Sequence, residues 1–98
     1  MTYRNRKFLA IVKRSPQCFG CGRANDGTVV GAHSNSQMMG KGMGHKAADL
    51  VAALCADCHS GYDGRAPGAI IHNSHEQWAW AAIRTMRWAL ETHPEVFK

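Results

Sequence analysis

Phe8, Leu9, Ile11 and Val12 recur at helical intervals, while Arg4, Arg6, Lys7, Lys13 and Arg14 fall mostly on the other side. This pattern predicts a short amphipathic helix over 4–14, ended by Pro16. Asn25-Asp26-Gly27 is a turn signal, and Thr28-Val29-Val30 is the clearest β-branched run, so a short strand should carry His33 at its end. Residues 34–46 read as a Gly/Ser/Met-rich loop, and Leu50 to Leu54 form a second apolar run. A short helix is expected to begin within residues 55–59, placing His59 and Asp63 one turn apart on one face. Ser74-x-x-Gln77 resembles a capping box and opens a long helix to about Glu91. On that helix Trp78, Ala79, Ala82, Ile83, Met86, Ala89 and Leu90 form the expected apolar face, with Trp80, Arg84, Arg87 and Trp88 opposite. No repeat or long linker divides the chain, so residues 1–98 are read as one domain.

A chain of 98 residues has a small core that benefits from a staple. The cysteines supply one. Cys18/Cys21 and Cys55/Cys58 are two Cys-x-x-Cys pairs separated by 33 residues, the pattern of a four-thiolate zinc site. Gly22 suits the positive-φ turn that follows such a knuckle. Metal binding and folding would then be one equilibrium, with a loosely folded apo chain. Cys55-Ala56-Asp57-Cys58-His59 also fits c-type haem attachment, a reading that leaves Cys18 and Cys21 unexplained. Phe8 to Val12 is too short for a secretory apolar region, and no run approaches the roughly 20 residues of a membrane span. A reducing cytoplasm is therefore the expected setting, which favours metal ligands over disulfides. The net charge of +5 and the pI near 9.3 favour a polyanionic partner, nucleic acid before membrane.

His33 and His59 are surplus to the zinc shell and point to a second site beside it. A strand ending in Ala32-His33, a Gly-rich loop, and Leu54-Cys55-x-x-Cys58-His59 opening a helix resemble the HNH (ββα-metal) endonucleases built on a treble clef. Ala32-His33-Ser34-Asn35, Gly40-Lys41-Gly42-Met43-Gly44, Cys55-x-x-Cys58-His59 and Tyr62-Asp63-Gly64-Arg65 are more closely similar to phage and prophage HNH-like nucleases of the YbcO-like family. That family is distantly similar to the Ref-type recombination nuclease, and the likeness spans roughly residues 5–92. The resemblance implies that His33 is the general base and that His59 binds the catalytic cation, Mg2+ or Mn2+. The chemistry agrees: a near-neutral imidazole can deprotonate water, and a divalent ion can stabilise charge on the phosphate.

Two positions depart from the family pattern. Ala32 stands where many HNH enzymes carry a second cation ligand, and Asp49 stands where they carry Asn. Because magnesium prefers oxygen, Asp63 is the preferred second ligand, ahead of Asp49. Asp63 precedes Gly64 and reads equally as a turn residue. His72-Asn73-Ser74-His75 reads as a helix-capping cluster rather than as the HNH motif, whose letters are separated in sequence. Lys41 and Lys46 in the glycine-rich loop, and Arg84 and Arg87 on the long helix, are candidate phosphate contacts, each with a plain solvated-surface alternative. Trp80 and Trp88 are expected to cover the N-terminal helix.

The expected fold is α+β: a small zinc-stapled treble-clef (ββα-metal, HNH-like) core with an N-terminal helix and a long C-terminal helix. The expected function is a metal-dependent DNA endonuclease of phage recombination or replication in a bacterial host, with a recombination protein as a candidate partner. The alternative is a non-catalytic zinc module that binds DNA or protein.

Overall fold

A computed structural model of the chain describes residues 4–34, 49–62 and 75–97. These form a small α+β fold with three helices and a two-stranded antiparallel sheet. Helix α1 (Arg6–Val12) starts where the Asn5 side chain accepts the Phe8 N–H at 3.0 Å, an N-cap bond. Its Phe8, Ile11 and Val12 are buried, as the periodicity predicts, and Leu9 packs at the edge of the core. The chain then makes a tight knuckle bracketed by an isolated bridge between Gln17 and Ala24.

Strand β1 (Val30–His33) pairs with β2 (Val51–Leu54), in register Val30 to Leu54 and His33 to Val51. The β-branched run suggested a strand starting at Thr28, but there the backbone is held by Asp26. The Asp26 carboxylate accepts the Thr28 N–H at 3.0 Å and its hydroxyl at 2.6 Å. The Thr28 hydroxyl oxygen in turn accepts the Ala56 N–H at 3.2 Å, satisfying a donor at the start of helix α2 (Ala56–Tyr62). Local side-chain bonding wins over strand propensity at that position.

All four β2 residues are buried, so its unbroken apolar run is that of a strand covered on both faces. The Ala53 peptide points its polar groups away from β1. Its carbonyl accepts the Phe19 N–H of the knuckle at 2.8 Å, and its N–H donates to the Thr85 hydroxyl at 2.9 Å. Thr85 lies on helix α3 (His75–Thr92) and passes its own proton to the Ala81 carbonyl at 2.7 Å.

That bond explains a correction to the sequence reading of α3. Trp78 and Ala89 of the expected face are buried and Ala79, Ala82 and Met86 pack at the edge of the core, but the fully buried stripe is completed by Ala81 and Thr85 rather than by Ile83 and Leu90. Small residues let the helix approach β2, Thr85 satisfies the strand, and the Trp78 indole donates to the Ala32 carbonyl at 2.7 Å. Ile83 and Leu90, assigned to the core by periodicity, are 59% and 51% exposed. With Val51, Ala79, Ala82 and Met86 they line an open groove of about 700 Å³. Trp80 is exposed rather than lying over α1, and Trp88 packs on Phe19 and His93. The residues against α1 include those of a closing 3-10 turn (Pro94–Phe97): the Phe97 ring lies 5.3 Å from that of Phe8, tilted by 45°, and the Val96 carbonyl accepts from Asn5.

Thr85→Val should destabilise the zinc-loaded protein by about 1–3 kcal/mol in chemical denaturation, because it leaves the buried Ala53 N–H unpaired. Thr85→Ser, which retains the hydroxyl, should lose markedly less.

Candidate metal centre and the adjoining histidine

Cys18 and Cys21 are aimed by the knuckle and Cys55 and Cys58 by the start of α2. The knuckle is closed by Cys18 N–H to the Arg23 carbonyl at 2.8 Å and Gly22 N–H to the Cys18 carbonyl at 2.9 Å. Gly22 has φ +83°, which an L side chain adopts only with strain. A Cβ at Gly20 would be crowded, lying 3.0 Å from Leu54 Cδ2 and 3.3 Å from the Cys58 sulfur. Cys55 directly precedes α2 and Cys58 sits in its first turn. The four sulfurs all lie within 4.8 Å of one another, with Cys21 and Cys55 Sγ 3.9 Å apart. A tetrahedral zinc with bonds of about 2.3 Å sets its sulfurs about 3.8 Å apart. The set fits a zinc ion.

Electrostatics favours the same conclusion. Burial opposes ionisation of Cys18, but backbone N–H groups directed at its sulfur, among them Gly20 at 3.3 Å and Cys21 at 3.5 Å, outweigh it and bring the thiol down to about 7. Burial, joined by the Cys18 charge, pushes the Cys55 and Cys58 thiols up. One thiolate thus forms readily and raises the cost of the next. A cation at the centre removes that conflict.

His33 ends β1. Its Nε2 lies 3.0 Å from Asp49 Oδ1, just before β2, and its side chain is 40% exposed against 5% for Asp49. The Asp49 carboxylate also accepts the Asn5 N–H and an Arg4 N–H, each at 3.0 Å. Burial raises its pKa, yet the hydrogen bonds from His33, Asn5 and Arg4, with the Arg4 charge, hold it below the ordinary carboxylate range. An ionised Asp49 requires the proton on His33 Nε2, which leaves the Nδ1 lone pair to act as a base. Periodicity alone does not reveal this dyad. It follows from the hairpin register, which puts the residues preceding β2 beside the end of β1.

His59 follows Cys58 on α2 and is half-buried, while Asp63, Lys41 and Lys46 lie outside the described residues. Arg84 donates to the Phe19 carbonyl at 3.2 Å, and Arg87 pairs with Glu91 at 2.8 Å, so both cations already have partners. His75 is the first residue of α3; it stacks on Trp78 and its Nδ1 lies 3.3 Å from the Tyr62 hydroxyl. No helix among the described residues is long and apolar enough to cross a membrane. Comparison with protein-family models, curated proteins and solved structures finds no match to the chain.

Purified protein should carry one zinc per chain by mass spectrometry of metals. Cys55→Ser should lower that content and the melting temperature together, because metal binding and folding are coupled. Unchanged zinc and unchanged melting would contradict a four-thiolate site.

Proposed function

We propose that the chain is a metal-dependent endonuclease that hydrolyses DNA phosphodiester bonds, with His33 as the general base. The observation that carries this reading is the His33–Asp49 pair: a half-exposed imidazole held through Nε2 by a buried carboxylate. The arrangement suits a base whose tautomer and orientation are set in advance. The order of elements supports a treble-clef core. A cysteine knuckle, an antiparallel hairpin and a helix that brings the second cysteine pair follow one another along the chain.

In the proposed reaction His33 Nδ1 removes a proton from water. The hydroxide oxygen bonds to phosphorus as the bond to the leaving oxygen breaks, and Asp49 offsets the charge of the imidazolium. His59, with Asp63 as its preferred companion, would hold Mg2+ or Mn2+, which when bound supplies charge stabilisation at the phosphate. The four-cysteine zinc is structural in this scheme. The setting that accompanies the family resemblance is phage recombination or replication in the cytoplasm of a bacterial host, beside a recombination protein.

Ala32 favours a second reading. It is buried and offers no ligand where the related nucleases have one, as a non-catalytic zinc module binding DNA or protein would allow.

His33→Ala should cut a DNA substrate about 10²–10⁴-fold more slowly, with zinc content and melting nearly unchanged. Asp49→Asn should lower kcat more than it raises KM. Wild-type protein that cuts no nucleic acid with magnesium or manganese would replace the nuclease with the binding module.

A further inference from the structure

A cleft of about 350 Å³ runs between α1 and β1, lined by Arg6, Leu9, Ala10, Lys13, Val30, Gly31 and His33. We infer that this cleft seats the phosphate backbone of a nucleic acid, with Arg6 and Lys13 as its phosphate contacts and His33 beside them. The inference rests on the nuclease reading for the role of His33, but its binding residues are separate from the catalytic ones.

Arg6 opens α1 and Lys13 is its C-cap, with helical φ and ψ; seven positions are a near-whole number of turns, so the two residues share a side roughly 10 Å apart. That separation exceeds the reach of a single phosphate and matches the axial rise of about three base steps. It selects a polymer over a small anion. Both side chains are exposed, and neither pairs with a carboxylate among the described residues. Among the described residues no acidic side chain lines the cleft. Asp49, the carboxylate bonded to His33 at one end of the cleft, is buried and also accepts from Arg4 and Asn5. Leu9, Ala10 and Val30 add apolar lining that offers contact to sugars.

The other expected contacts differ in this respect. Arg84 and Arg87 are bonded within the protein, and Arg87 lies beside the apolar groove rather than this cleft. A membrane surface fits poorly, because the apolar side of α1 is turned into the core through Phe8, Ile11 and Val12.

The test uses the full zinc-loaded chain and short fluorescein-labelled DNA, duplex and single-stranded, with affinity measured by anisotropy across sodium chloride concentrations. Arg6→Gln with Lys13→Gln should reduce the slope of log affinity against log salt by roughly 1.8 on duplex, or roughly 1.4 on single strand. Ala10→Glu, placed between the two cations, should weaken binding while the protein melts as wild type does. Arg84→Gln with Arg87→Gln should leave the slope in place. An unchanged slope in the Arg6/Lys13 variant overturns the inference, as would an equal loss in the Arg84/Arg87 variant. Binding of a labelled polyglutamate peptide through Arg6 and Lys13, without binding of DNA, would also overturn it. A reduced slope in a protein whose wild type cuts nothing would keep the cleft and remove the nuclease reading.

Discussion

Four thiol groups brought within 4.8 Å of one another in a buried corner are the constraint on which the described fold depends. Without a cation, ionising one sulfur raises the cost of ionising its neighbours, and Cys55 and Cys58 are already disfavoured by burial. With zinc, the knuckle and α2 become one unit, although their cysteines are separated by 33 residues. The sheet follows from this closure. The Phe19 N–H of the knuckle donates to the Ala53 carbonyl, and the Thr28 hydroxyl oxygen accepts the Ala56 N–H at the start of α2. For a chain of 98 residues that cross-link replaces part of the core a larger domain would bury.

The same closure sets the geometry around His33. Once β1 and β2 pair, the residue at the end of one strand lies beside the segment entering the other. Asp49 then receives hydrogen bonds from three residues in two parts of the chain: His33 in the sheet, and Arg4 and Asn5 ahead of α1. The Asp49 carboxylate therefore joins the N-terminal segment to the hairpin. Its ionised state is favoured by those donors despite burial. The chemistry proposed for His33 and the packing of α1 thus rest on one buried side chain.

Local patterns made several parts of this legible from sequence. Helix α1, the two knuckles, Gly22 and the start of α2 each depend on residues close together in the chain. The buried face of α3 was legible only in part: Trp78 and Ala89 were, whereas Ala81 and Thr85 take the sheet-facing positions that periodicity gives to Ile83 and Leu90. The place of Thr85 follows from the Ala53 N–H, which donates to its hydroxyl. Likewise the strand start moved because Asp26 holds Thr28 through two bonds. The His33–Asp49 pair spans a separation that no short window covers, and becomes visible only with the hairpin register.

The central claim is that four sulfurs and no other ligand hold one metal ion here, leaving the histidines for other work. X-ray absorption at the zinc edge on the purified chain tests it most directly. The account predicts a single shell of four sulfurs at about 2.3 Å. A shell containing imidazole nitrogen, with His33 or His59 taking the place of a cysteine, would contradict it.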